Sequence, residues 1–353
     1  MTLRYMNSLH RRISRVYMSD HISNHKRNHK KVTVVIPNYN GLSFMERCFK
    51  ALDLQICRDF EILAVDNGST DGSADWLREH EIPTIFLDSN TGFSGAVNRG
   101  IKASDTPYVI LLNNDTEPDC HYVGEMIKAI ERSPKIFSVS SKMIQLYHKE
   151  LMDDAGDMYS LLGWAYQRGV GRSSAGYNKA CRIFAACAGA GIYRREVFRE
   201  IGYFDEMHFA YLEDIDIGYR ARIAGYDNIY CPSAVVFHVG SGTSGSKYNS
   251  FKVKLAARNN VYLNYKNMPP LQLAVNLVPI MIGIGLKYMF FKKRGFEKDY
   301  LDGLKEGLAT MGKCRKVPYS PKHLRSYLAI EWELFTGTLI YLYEFTARQI
   351  AKL

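Results

Sequence analysis

Carboxylate side chains stand at the ends of predicted structural elements, where they could carry out chemistry. An apolar run at residues 60–65 leads directly into Asp66, and another leads into Asn113-Asn-Asp115. A third group, Glu213-Asp214-Ile-Asp216, stands at the start of a helical pattern. In an open α/β sheet, ligands bind outside the carboxyl ends of the strands. Carboxylates collected there can hold a divalent metal and accept a proton from a substrate hydroxyl, which suits chemistry on a nucleotide diphosphate.

The elements that must position these groups alternate along the first half of the chain. Apolar, β-branched runs begin near Val32, Phe60, Thr84 and Tyr108, with helical patterns between them. A spacing of about 25 residues is typical of βαβ units and predicts an α/β fold with a mainly parallel sheet flanked by helices. A capping-box pattern at residues 43–46 predicts the start of the first helix.

The second half of the chain gives a weaker pattern. An amphipathic helix is predicted near residues 120–132, and weak periodicity to about residue 180 predicts long loops. The elements predicted after that are a strand at 187–193, a helix at 195–202, a helix at 213–225 and a strand at 234–239.

Length and composition fit one large globular domain with an appendage. The chain has 353 residues, 46% of them hydrophobic and 23% charged, so it can bury a full core. Its seven cysteines are scattered and form no Cys-x-x-Cys pair. A reduced, cytoplasmic compartment is therefore expected.

Positive charge is concentrated in the two flanks of the chain. Residues 1–31 carry eight Lys/Arg against one acid, and residues 252–353 carry seventeen against seven, so the body between them is acidic. Such flanks suit nucleic acid or an anionic membrane surface. The apolar segment 271–291, followed by Lys292-Lys-Arg294, favours the membrane, with an interfacial helix preferred over a spanning one because Asn276, Pro279 and Lys287 interrupt it.

The chain resembles the family 2 glycosyltransferases with the GT-A (Rossmann-like) fold. The matching segments, in family order, are Val34-Val-Ile-Pro-Asn-Tyr-Asn-Gly41, Val65-Asp-Asn-Gly-Ser-Thr-Asp-Gly72, Asn90-Thr-Gly-Phe-Ser-Gly-Ala-Val-Asn-Arg-Gly100, Leu111-Leu-Asn-Asn-Asp-Thr116, Gly202-Tyr-Phe-Asp-Glu206, Tyr211-Leu-Glu-Asp-Ile-Asp216 and His238. Within the family, the pattern is most similar to bacterial rhamnosyltransferases of polysaccharide synthesis. We therefore divide the chain into a basic extension at 1–31, a GT-A domain at 32–260 and a helical, basic, membrane-associating region at 261–353.

The resemblance implies a site for Mn²⁺ or Mg²⁺. Asp115 occupies the aspartate position of the family's Asp-x-Asp motif, where it would bind a metal that bridges the two donor phosphates. Asn113 replaces the first aspartate and would offer an amide oxygen. His238 would be a second ligand, since imidazole tolerates Mn²⁺. Taken alone, Asp115 could equally belong to a polar turn, and His238 to the core.

The resemblance also assigns the base and the donor pocket. Asp214 would deprotonate the acceptor hydroxyl, with Glu213 beside it in the substrate site. Without the resemblance, acids at this position would only favour a helix start. The residues expected to bind the nucleotide are Pro37, Asn38 and Asp66 around the base and ribose, Gly92, Asn98 and Arg99 along the same cleft, and Lys247 or Arg258 near the diphosphate.

One glycine-rich loop needs a separate interpretation. Gly240-Ser-Gly-Thr-Ser-Gly245 matches a dinucleotide-binding pattern, but no acid for the ribose follows it between Asp227 and Glu297. We expect a lid over the donor instead.

These features together predict an inverting transfer from a nucleotide-diphosphate sugar. The resemblance alone makes dTDP-rhamnose the first choice of donor and a UDP-hexose the second. The acceptor would be a growing, lipid-linked cell-surface polysaccharide at the cytoplasmic face of the membrane, with no nucleic acid involved.

Two alternatives remain open. A sugar-phosphate nucleotidyltransferase would need a basic, glycine-rich phosphate loop where Pro37-Asn-Tyr-Asn40 stands. A non-catalytic membrane-bound scaffold would have a degenerate site, for which Asn113 is the hint. The oligomeric state also stays open, a homo-oligomer included.

Overall fold

The computed structural model describes residues 30–240 and 248–350. Most of the basic amino-terminal extension, most of the predicted lid and Lys247 therefore lie outside the described residues. The elements in chain order are β1 (Val32–Asn38), α1 (Leu42–Asp53), β2 (Phe60–Asp66), α2 (Ser73–Glu79), β3 (Thr84–Phe86), α3 (Gly92–Ala103), β4 (Tyr108–Leu112), β5 (Thr116–Pro118), α4 (Tyr122–Ile130), β6 (Ile136–Gln145), β7 (Met152–Asp154), β8 (Asp157–Tyr159), β9 (Ala165–Gln167), β10 (Cys181–Ile183), β11 (Ala190–Arg194), α5 (Val197–Ile201), α6 (Glu213–Ile223), β12 (Asp227–His238), α7 (Ser250–Asn267), α8 (Pro270–Lys292), α9 (Glu297–Thr310) and α10 (Leu324–Ile350).

The first half of the sheet is parallel, as the spacing of apolar runs predicts. Strands lie in the order β3-β2-β1-β4, all parallel, and helices connect them. All of β4 and most of β1 are buried, which is why both read as continuous apolar runs. The predicted capping box is wrong, because the N-cap of α1 is Gly41 and not Ser43. The Leu42 N–H at the start of the helix donates instead to Asp71 Oδ2, at 2.9 Å.

The second half makes the sheet mixed. Strand β11 pairs antiparallel with β4 and β6, and β6 pairs parallel with β12. The region interpreted as long loops contains the ten-residue strand β6. Buried serines interrupt the apolar run by which a central strand is recognised in a sequence. They can be buried because they have partners: Ser138 Oγ donates to Asn228 Oδ1 at 2.8 Å, and Ser141 Oγ donates to the Ala190 carbonyl at 2.9 Å. A central strand therefore carries polar residues wherever a neighbouring element offers a partner.

Four α-helices, α7 to α10, follow the last strand in the described part of the chain. Helix α7 lies against α9 and also contacts α6, while α10 contacts α6 and β8. Helix α8 is the single helix in the described residues that is long and apolar enough to cross a membrane, with a mean hydropathy of 1.7. Length and composition alone give only weak evidence for a span.

Candidate active site

The carboxyl ends of three parallel strands meet through a chain of side-chain hydrogen bonds. Asn38 ends β1 directly opposite Asp66, which ends β2. Asn38 Nδ2 donates to Asp66 Oδ1 at 2.8 Å, and Asn114 Nδ2 donates to Asn38 Oδ1 at 2.6 Å. All three side chains are buried. Pro37 precedes Asn38 on β1, so the structure brings these predicted nucleotide residues together.

Asp115 lies beside His238 because β12 ends against β5. His238 pairs with Thr116, and the Val239 N–H donates to the Asp115 carbonyl at 3.0 Å. His238 Nε2 then lies 3.3 Å from Asp115 Oδ1, and its Nδ1 lies 2.7 Å from Asp153 Oδ2. Burial lowers the pKa of His238, but the two carboxylates outweigh it and raise that pKa to about 10.

This pair has the properties of a divalent-metal site. Asp115 Oδ1 is buried and accepts no aligned hydrogen bond from the described residues. Asp153 holds His238 Nδ1, which leaves Nε2 as the nitrogen facing Asp115, an arrangement found around metal-bound histidines. The amide of Asn113, two residues before Asp115, is partly exposed. A carboxylate, an imidazole and an amide oxygen form a donor set that suits Mn²⁺ or Mg²⁺.

Asp214 is presented by a strained loop at the start of α6. Phe209, Tyr211 and Leu212 have positive φ angles of 61°, 71° and 66°, which cost of order 1–3 kcal/mol each. The loop is held from outside: Asn259 Nδ2 of α7 lies 2.8–2.9 Å from the carbonyls of His208, Ala210 and Tyr211. Strain maintained in this way is a feature of functional loops.

The loop places Asp214 next to Asp157 and close to the metal-capable residues. The carboxyl of Asp157 lies against Asp214 and the Ala188 backbone lies beside it, because both groups influence the pKa of Asp214. One residue further, the Gly189 carbonyl accepts the Asn113 N–H at 2.8 Å. Burial raises the pKa of Asp214, a change that suits a proton acceptor, while the Asp157 carboxyl opposes it.

The two neighbours of Asp214 have different environments. Asp216 is fully buried, and Arg220, Lys266 and Asn267 bind its carboxylate at 2.8–3.0 Å. Although burial opposes it, the charges of Arg220 and Lys266 lower the pKa of Asp216. Glu213 is buried, and its Oε2 has no hydrogen-bond partner among the described residues. Burial and the charge of Asp214 raise the pKa of Glu213.

Two predicted binding residues, Asn98 and Arg258, make contacts within the fold, and a third, Arg99, is exposed. Asn98 Nδ2 donates to the Phe204 carbonyl at 2.8 Å and to Glu206 Oε1, and Asn98 Oδ1 accepts the Phe204 N–H at 3.1 Å. Arg99 is exposed and lies seven residues into α3, about 10 Å along the helix from its start at the cleft.

Arg258 is likewise occupied by fold contacts. Its guanidinium binds Glu306 at 3.1 Å and the Met207 and His208 carbonyls at 3.0 and 3.1 Å. Gly92, by contrast, stays at the cleft: its φ is 77°, and an added Cβ would lie 2.5 Å from the Phe209 carbonyl oxygen.

Sequence reasoning missed four polar residues around this site. They are Asp153, Asp154, Asp157 and Asn259. The first three form Asp153-Asp-Ala-Gly-Asp157, a fourth acidic motif, which was overlooked because this region was predicted to consist of loops. Ligand atoms of Asp154, Asp157 and Cys187 lie within 4.8 Å of one another.

The buried acids predict an unusual dependence of stability on pH. Burial, Asp154 and Asp214 raise the pKa of Asp157 above its unfolded value of about 4. The folded state therefore binds the proton more tightly, and stability falls as pH rises above about 4 toward the raised pKa. Asp157→Asn should remove this cost and stabilise the ligand-free protein by about 1–2 kcal/mol at pH 8. Thermal melts at pH 5 and pH 8 would measure it.

Asp88→Asn is the control for this measurement, because Asp88 is exposed. Its melting temperature should follow that of the wild type at both pH values. Equal pH dependence in Asp157→Asn and the wild type would contradict the prediction.

Comparisons with known proteins identify the family and the fold. The model of "Glycosyl transferase family 2" matches residues 33–202. An N-acetylglucosaminyl-diphospho-decaprenol L-rhamnosyltransferase of Mycobacterium tuberculosis is 26% identical over 239 residues, which are 60% of this chain and 77% of that protein. A poly-beta-1,6-N-acetyl-D-glucosamine synthase of Staphylococcus epidermidis is 23% identical over 219 residues, 58% of this chain and 51% of that protein.

Solved structures show the same fold. GalNAc-T7 with UDP, GalNAc and Mn²⁺ has a TM-score of 0.55 at 17% identity, over 68% of this chain and 48% of that one. S. aureus TarS 1-349 with UDP-GlcNAc has a TM-score of 0.54 at 14% identity, over 80% and 81%. The chain thus spans about half the length of GalNAc-T7 and of the synthase.

The mixed sheet with flanking helices has the GT-A fold. Residues 33–202 form a glycosyltransferase family 2 domain, so the chain is a glycosyltransferase.

Proposed function

We propose that the chain is an inverting, metal-dependent transferase of a sugar from a nucleotide diphosphate. The observation that carries this proposal is the continuous path from Asp115 to Asp214. The turn at Ala188 and Gly189 lies beside Asp214 on one side, and the Gly189 carbonyl accepts the Asn113 N–H on the other. A base and a metal-capable carboxylate in one cleft are what an in-line displacement at a sugar carbon requires.

Each group has one part in the transfer. Asp214 removes the proton from the acceptor hydroxyl, whose oxygen attacks the anomeric carbon while the bond to the nucleotide diphosphate breaks. Asp115 and His238, with Asn113 alongside, would hold Mn²⁺ or Mg²⁺, which when bound neutralises charge on the departing diphosphate. Asn38 and Asp66 bind the nucleoside, with Pro37 and Gly92 shaping the pocket.

dTDP-rhamnose is the donor that we propose first, and a UDP-hexose is the second choice. The rhamnosyltransferase relative supports the first choice, and TarS, solved with UDP-GlcNAc, supports the second. The same relative's name includes a diphospho-decaprenol acceptor, so we propose a lipid-linked glycan acceptor. The GT-A part at 32–260 would then work at the cytoplasmic membrane surface, bound peripherally through the region 261–353.

Thermal melts with nucleotides test the proposal. dTDP or UDP with Mn²⁺ should stabilise the protein by about 2.7 kcal/mol at a hundred times the dissociation constant, and GDP should not. Asp66→Ala should lose the shift from the nucleotide. Equal shifts with and without Mn²⁺, or no shift with any nucleotide, would contradict the proposal, and the second result would favour a non-catalytic scaffold.

A further inference from the structure

Helix α8 buries polar side chains and leaves most of its apolar side chains exposed. Gln272 and Asn276 are buried, whereas Val275 and Val278 are 65% and 68% exposed. Asn276 Nδ2 donates to Glu331 Oε1 of α10 at 2.7 Å. A helix packed on a protein in water normally buries its apolar stripe. The arrangement in α8 is the one expected when the outer surroundings are apolar.

Helix α10 also turns carboxylates inward, beside the buried apolar residues Ile330 and Leu334. Its carboxylates point inward: Glu333 pairs with Arg222, and the buried Glu344 accepts from the Gly169 N–H and the Tyr177 hydroxyl at 3.2 and 3.1 Å. The outward positions recur every three or four residues and are apolar; they are Leu324, Leu328, Trp332, Phe335, Leu339 and Leu342. This spacing keeps them on one face of the helix.

The two helices are fixed side by side by the β8–β9 hairpin. Trp164 Nε1 donates to the Gly283 carbonyl of α8 at 3.1 Å, and its ring packs on Tyr341 of α10 at 5.2 Å. An added Cβ at Gly283 would collide with the hairpin backbone, as would one at Gly337. Both helices therefore turn their inner sides to the hairpin and their apolar sides away from it.

Basic residues stand at the ends of these helices. Lys292, Lys293 and Arg294 are exposed at the end of α8, and Lys322 and Arg325 are exposed at the start of α10. Apolar side chains flanked by exposed cations are the composition of helices that lie in an anionic membrane surface.

We propose that α8 and α10 together form a lipid-docking face that lies in the surface of an anionic bilayer. The face consists of the outward residues of α8 from Leu271 to Met289 and the outward residues of α10 named above. It deepens the proposed function, on which it rests, by giving the surface at which a lipid-linked acceptor is met. A second copy of this chain is the competing occupant, but a dimer would give no role to cations at the helix ends.

Vesicle sedimentation with the full chain tests the lipid-docking face. Wild type should pellet with vesicles of phosphatidylcholine and phosphatidylglycerol at low salt, and less with phosphatidylcholine alone. The triple variant Leu328→Glu, Trp332→Glu and Leu339→Glu should bind at least about tenfold more weakly. The matched control is Leu54→Glu with Ile56→Glu, two exposed apolar residues of the sheet domain, and it should bind as the wild type does.

Trp332 supplies a second measurement that requires no disruptive change. It is 65% exposed, so brominated lipids should quench its fluorescence when α10 enters the bilayer. The lipid-dependent quenching should disappear in Trp332→Phe, which retains apolar character and should still sediment with vesicles. Quenching that is the same in wild type and Trp332→Phe would show that α10 stays outside the lipid, which overturns the two-helix face.

The outcomes separate this proposal from the proposed function. Nucleotide-dependent and Mn²⁺-dependent thermal shifts should be equal in the wild type and the triple variant, because the changed residues lie on the outer side of α10. If those shifts occur and wild type stays in the supernatant, the lipid-docking face is wrong while the transferase stands. A concentration-dependent dimer that the triple variant abolishes, without vesicle binding, would identify a second copy as the occupant.

Discussion

Replacing Asp214 by Asn is expected to lower the rate of sugar transfer roughly 10²–10⁴-fold. The amide is nearly isosteric, and its oxygen can still accept the Ile215 N–H that Asp214 Oδ1 accepts at 2.7 Å. It cannot accept the proton of the acceptor hydroxyl, so turnover falls while the dissociation constant of the donor nucleotide hardly changes. Initial rates and calorimetric titration would measure the two quantities.

The pH profile adds a second readout for Asp214. Because burial raises the pKa of this carboxyl, the wild-type rate should fall as pH is lowered below neutrality and the base becomes protonated. Asp216→Asn is the control. It breaks a buried ion network, so it should lower the melting temperature, but its transfer rate should still fall at acidic pH as that of the wild type does. Near-normal transfer by Asp214→Asn would contradict this assignment, and Glu213 would become the candidate for the base.

Replacing Asp115 by Ala is expected to reduce turnover by at least about 10³-fold, because a bound metal contributes several kcal/mol of charge stabilisation. The fold should survive, because the backbone hydrogen bond between Val239 and Asp115 does not depend on the side chain. Wild-type activity should need Mg²⁺ or Mn²⁺ and disappear with a chelator. Circular dichroism and the electron paramagnetic resonance signal of bound Mn²⁺ would separate folding from metal binding.

Asp75→Ala is the matched control for this change. Its side chain is 76% exposed and pairs with Arg78 on the same helix turn. It should retain activity and Mn²⁺ binding. Full activity of the wild type in excess chelator would overturn the metal assignment.

The parallel half of the fold and the strand-end residues could be predicted because local patterns encode them. A buried parallel strand reads as an apolar run, and the residues just beyond its carboxyl end must lie at the sheet edge. Asn38 and Asp66 therefore meet as expected. Membership of family 2 could also be predicted from motifs in order, because several short segments must all be present to form one cleft.

The remaining site could not be predicted because contacts distant in the sequence decide it. Arg258 binds carbonyls about fifty residues away, a contact that no local sequence pattern shows. Asp157 looks like a loop residue, and only the course of β6 and β8 brings it against Asp214. The Asn98 amide is similarly taken by Phe204.

Helix α7 bears on how chimaeric enzymes of this type should be built. The helix runs unbroken across residue 260, and its last turn supplies Lys266 and Asn267 to the buried Asp216. A junction at residue 260 would separate Asp216 from both partners and leave its charge buried without them. Exchange of acceptor-binding parts between relatives should therefore join the sequences after Asn267, where the extended Met268 ends the helix.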